Sequence, residues 1–102
     1  MARAGRYPTV RTVALVERAG VHLADDRRDA AHADLDEARA LGVGGAEGAA
    51  RSVAEARLAL AGGDRAAAEA ALREAEADPA LASPATEIGA AVASLRDAIA
   101  AG

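Results

Sequence analysis

The tightest constraint on this chain is what it lacks for an interior. Tyr7 is its only aromatic residue, and there is no Phe or Trp. A wide core needs large rings to fill it. The hydrophobic fraction is 52%, but much of it is alanine. Helices lined by alanine can approach closely, so a thin all-α packing is open to the chain where a thick sheet sandwich is not. Ala, Leu, Arg and Glu dominate and are strong helix formers. The β-branched residues are too scattered for strands. A length of 102 residues suits one domain.

Turn and cap residues divide the chain into a short basic arm, residues 1–8, and a single helical domain, residues 9–102. Five helices are expected, over about 9–24, 27–41, 46–61, 64–77 and 84–101. Pro8 and Thr9 suit the first start. Asp25 or Asp26 suits the second, where Asp29 meets the positive end of the helix dipole. Gly42, Gly44 and Gly45 end the second helix and form a loop. Gly62-Gly63 ends the third, Asp64 caps the fourth, and Asp78-Pro79 stops it. Ser83 and Pro84 suit the fifth start. Apolar spacing gives each helix one inner face. In order, these are Val13/Val16/Gly20/Leu23, Ala31/Leu35/Ala38, Ala49/Val53/Ala56/Leu60, Ala68/Leu72/Ala75 and Ile88/Ala91/Val92/Leu95/Ile99. Glu47, Arg51 and Glu55 form an i, i+4 ladder, so that side of the third helix is expected to be wet.

The chain repeats itself. "LADDRRDAAHADLDEARAL" at 23–41 matches "LAGGDRAAAEAALREAEAD" at 60–78, an offset of 37. Leu23 aligns with Leu60, Ala31 with Ala68, Leu35 with Leu72, Glu37 with Glu74 and Ala38 with Ala75. Val16 aligns with Val53 and Val21 with Leu58. Two copies of a two-helix unit plus a final amphipathic helix is the minimal pattern of a solenoid. The second copy resembles a tetratricopeptide repeat (TPR). It has a Gly-Asp turn, small residues Ala68 and Ala75 where paired helices would touch, Leu72 between them, and a closing Pro79. The resemblance implies an all-α fold of two antiparallel helical hairpins, about 9–42 and 46–79. The helix over 84–101 then stands as the C-terminal capping helix. The offset exceeds the family's ~34 residues by an amount that "GVGG" can hold. A two-hairpin bundle without superhelical twist would leave the same traces.

Several activities find no support. There is no cysteine, which excludes disulfides, thiolate metal sites and Cys nucleophiles. Ser52, Ser83 and Ser94 lie in no nucleophile motif, and "GVGG" lacks the Lys and strand of a phosphate loop. Asp29, His32 and Asp36 share a side of the second helix, but a metal needs ligands converging from more than one element. A solvated acidic face explains them. No enzyme activity, cofactor or metal is therefore expected. No run reaches the ~18–20 apolar residues of a membrane span, and the N-terminus lacks a signal-peptide core. A cytoplasmic protein is the default.

What remains is binding. The TPR resemblance implies a groove lined by the first helix of each hairpin. Through the Val16/Val53 register it places Arg18 and His22 beside Arg51 and Glu55. The two arginines would favour an acidic segment of a partner protein. The function expected is thus that of a non-catalytic interaction module or adaptor. A second reading is a helix-turn-helix nucleic-acid binder, on "ALVERAGV" at 14–21. The next helix would have to read the major groove, yet its acids outnumber its arginines, and phosphate repulsion penalises that docking. A third reading is a self-associating bundle. Leu81, Val92 and Ile99 would leave an apolar strip near the C-terminus, and a homodimer would cover it.

Overall fold

The computed structural model describes residues 7–77, 83 and 86–101. The arm up to residue 6, the Asp78-Pro79 stop, Leu81 and Pro84 lie outside the described residues. Within them are five helices and no strand: α1 Tyr7–Ala24, α2 Arg28–Leu41, α3 Gly45–Ala61, α4 Arg65–Ala75 and α5 Glu87–Ala101. The shortest principal extent is 18 Å. That is about two helix diameters, the thin layer that an alanine-rich interior permits.

Neighbours in sequence are neighbours in space. α1 packs on α2, α3 on α4, and α3 also meets α1, α2 and α5; α4 meets α5. Arg11 near the start of α1 bonds Glu37 late in α2, while Arg18 reaches Asp34. α3 is the shared wall. Its Val53 and Ala56 join Ala68, Leu72, Ala75, Val92 and Ile99 in one apolar cluster. Its Ala54 joins Ala19, Ala31 and Leu35 in the other, with Leu58 against it. A helix buried on two sides carries little amphipathic contrast.

The α1–α2 and α3–α4 turns share one geometry. Asp26 has φ 61°, and Gly63, its equivalent 37 residues on, has φ 79°. Arg27 N donates to His22 O at 2.7 Å, and Asp64 N to Ala59 O at 2.9 Å. Asp26 N donates to Leu23 O and Gly63 N to Leu60 O. These are the paired 6→1 and 5→2 bonds of a Schellman turn, made twice. The chemistry differs. Asp64 Oδ1 accepts from Ala67 N at 3.0 Å and caps α4. The equivalent Arg27 makes no side-chain cap. The expected cap from Asp25 or Asp26 is therefore corrected. Asp26 occupies the left-handed position of the turn, which places Arg27, not an aspartate, at the cap.

Other expectations shift. α1 begins at Tyr7, with Pro8 in its first turn as expected. Its buried face is Thr12, Leu15 and Ala19, not the Val13 stripe. Val13 and Gly20 are exposed, while Val16 and Leu23 pack at the margin. Thr12 Oγ1 donates to Pro8 O at 2.7 Å, which lets a hydroxyl enter the core satisfied. α4 stops at Ala75 rather than Ala77. α5 begins at Glu87, where Thr86 Oγ1 accepts from Gly89 N at 2.9 Å. Thr86 caps that helix in place of Ser83, whose carbonyl accepts from Thr86 N. Val92 and Ile99 are buried, so no apolar strip forms from them. Gly48 is required by packing. A Cβ there would stand 2.5 Å from the Val43 carbonyl oxygen.

Candidate functional site

The charged residues fall into two sets. The first lies between α1 and α2. Asp34 sits in the seam beside Ala31, Leu35 and Ala38, only 5% exposed. A buried carboxylate needs partners. Arg18 supplies a two-pronged bond, Nε to Oδ2 at 2.9 Å and Nη2 to Oδ1 at 2.7 Å. His22 Nε2 stands 3.5 Å from Oδ2. The Arg18 hydrogen bond holds the Asp34 carboxyl below the usual carboxylate range, against the upward pull of burial.

The second set joins α2, α3 and α4. Arg39 donates to both oxygens of Glu55, at 3.1 and 2.8 Å, and to both of Glu74, at 2.8 and 3.1 Å. Those bonds raise the Arg39 guanidinium above its already high range. Arg51 lies 3.9 Å from Glu55 and 3.8 Å from Glu74. The buried Ser52 hydroxyl donates to Glu74 at 3.4 Å. The Arg51 and Glu55 side chains are 14% and 16% exposed. The expected wet face of α3 is corrected for this part, because α2 and α4 wall it in.

Arg39 and Glu74 bridge a trough that runs between α2 and α4 over α3. On one side lies a groove of ≈ 450 Å³. Leu35, Leu58, Ala59, Ala67 and Ala71 give it an apolar floor. Asp36, Glu55, Asp64 and Glu74 rim it, with Arg39 as the one guanidinium among its lining residues. Beyond the bridge lies a second hollow of ≈ 390 Å³, lined by Arg51, Ser52 and residues 43–45.

The four residues expected to share a groove do not meet. Arg18 and His22 serve Asp34; Arg51 and Glu55 serve the Arg39–Glu74 bridge. Of the four, Glu55 alone lines the larger groove. Arg39, Glu74 and Asp34 were missed as site residues. Asp34 carried a signal: it falls on the buried spacing of Ala31, Leu35 and Ala38, so it had to be neutralised. Glu74 was visible only as the repeat equivalent of Glu37, and nothing local marks Arg39. His32 Nδ1 lies 3.1 Å from Asp36 Oδ2, both side chains exposed. Among the described residues no group of three or more His, Cys, Asp or Glu side chains could hold a metal ion. None of the described helices is long and apolar enough to cross a membrane. No known protein family matches the chain, and neither a curated protein nor a solved structure matches it.

Proposed function

We propose that the chain is a non-catalytic protein-interaction module of TPR-like build, an adaptor that seats a segment of a partner protein in the α2–α4 groove. The observation that carries this reading is an apolar floor with an acidic rim, in which Glu55 and Glu74 share Arg39 and Arg51 while Asp36 and Asp64 add further negative charge. Such a groove suits a segment that buries small apolar side chains and presents arginine or lysine to the rim. The charge preference reverses the acidic segment expected from Arg18 and Arg51, since both of those guanidiniums already face carboxylates. A nucleic-acid role gains nothing from the geometry: Asp29, Asp36 and Glu37 stand exposed on α2, the helix that would meet phosphates.

Two fluorescein-labelled peptides of matched length test the reading, one alternating Ala/Leu with Arg, the other with Glu. The basic peptide is expected to raise anisotropy on titration, with an affinity that falls as salt is added. Equal binding of the acidic peptide, or no binding of the basic one at millimolar protein, would overturn it.

A further inference from the structure

Among the described residues, the exposed large hydrophobic residues do not lie in the groove. Tyr7, Val10, Val13 and Val21 are 62%, 66%, 42% and 60% exposed, and all belong to α1. Of the described helices α1 packs only on α2 and α3, so its remaining face closes the array at one end. End helices of helical arrays normally show water a polar face. Here the opposite holds.

The spacing on that face is specific. Tyr7, Val10, Ala14, Glu17, Val21 and Ala24 follow one another at alternating intervals of three and four residues, and all six are exposed. Alternating three-four spacing is the seam of a two-helix coiled coil. Thr12, Leu15 and Ala19, which face the protein's own core, lie on the other side of the helix.

We propose that this face pairs with the same face of a second copy of the chain, α1 against α1, antiparallel. The seam is self-complementary in that direction. Val10 meets the partner's Val21, Tyr7 meets the partner's Ala24, and Ala14 meets the partner's Glu17. Large side chains thus face small ones at the ends, and valine faces valine between. Glu17, the only charge in the seam, falls three residues, or about 4.5 Å along the axis, from the level of the partner's Arg11. A parallel pairing instead stacks Glu17 on Glu17 and Tyr7 on Tyr7, which like charge and bulk oppose. A single helix pair sits at the low end of interface size, so the dimer is concentration-dependent. This inference is independent of the groove.

Sedimentation velocity from micromolar to submillimolar protein is expected to show monomer passing to dimer. Val10→Glu with Val21→Glu should weaken the dimer by at least about tenfold, because it buries charge in the seam. Helical content should stay unchanged, since both residues are exposed. Glu17→Leu should strengthen it. A monomer at every concentration, or a dimer indifferent to the double substitution, would overturn the proposal. Direction is read by disulfide trapping, for which the cysteine-free chain is ready-made. Mixing Val10→Cys protein with Val21→Cys protein should give the mixed disulfide in excess. A predominance of like-with-like disulfides would overturn the antiparallel arrangement.

Discussion

In the middle of α2, Asp34 turns into the seam with α1; 37 residues on, at the matching place in α4, stands Ala71. Both are buried, at 5% and 7% exposure. The residue that answers each differs as well. α1 sends Arg18 to Asp34, while α3 carries Glu55 at the equivalent position and sends it across to Arg39 of α2. The surrounding seam hardly changes: Ala31, Leu35 and Ala38 match Ala68, Leu72 and Ala75 in burial. Leu15 and Ala19 match Ser52 and Ala56 in the same way. One backbone plan thus tolerates two ways of closing a helix pair. The charged closure sits where α1 has an open side and half of the Arg18 side chain stays in water. The alkyl closure sits at the floor of the α2–α4 groove, where Ala71 joins the apolar cluster shared with α3 and α5 and needs no ion pair.

The equivalence of the two seams is most exposed to Leu35→Ala and Leu72→Ala. Each is expected to cost about 2–4 kcal/mol in chemical denaturation, since both leucines are almost wholly buried. A small loss at one and a large loss at the other would break the comparison. The charged closure is next. Arg18→Ala should lower the unfolding midpoint at neutral pH more than Arg18→Ala combined with Asp34→Ala, because the single change strands a buried carboxylate. The sign with pH follows from the lowered Asp34 carboxyl. Its stabilisation is complete above the unfolded carboxylate value of about 4 and is lost as pH falls through the lower folded value. Wild type and Arg18→Ala should therefore converge in acid. A gap that persists there would assign the effect to packing. The smallest effects lie in the turns. Asp64→Ala should cost about 1 kcal/mol, and Arg27→Asp, which copies Asp64 into the first turn, should gain about 0.5–1 kcal/mol. Asp26→Gly should gain about 0.5 kcal/mol by relieving a left-handed aspartate. Thermal melts of these three decide whether the turns are as interchangeable as their hydrogen bonds.

The sequence made the seams legible because alanine and leucine recur there at helical period and the second copy repeats the first. It also revealed Asp64 as a cap and Gly42 as the end of α2, where the structure finds the glycine left-handed. α1 misled because valine is equally at home in its core-facing and outward stripes, while the true core position held a threonine that satisfies its hydroxyl within its own turn. The Val92 and Ile99 strip failed for the opposite reason: both face α3 and α4 and are covered. The α2–α4 groove was out of reach. Arg39 and Glu74 are 35 residues apart and touch through long side chains whose meeting depends on the packing of three helices. Local spacing encodes which face is buried, not which two exposed side chains will span a trough.

Because α3 gives one side to each apolar cluster, neither half of the chain can be separated from the other without stripping a covered surface. Cutting between residues 42 and 44 would take α1 and α2 away from Ala54 and Leu58, and leave the remainder with a wetted wall. The duplication visible in the sequence is therefore not expected to yield two halves that fold apart. Amide exchange should find α3 the slowest segment to open, its protons released only when the whole molecule unfolds.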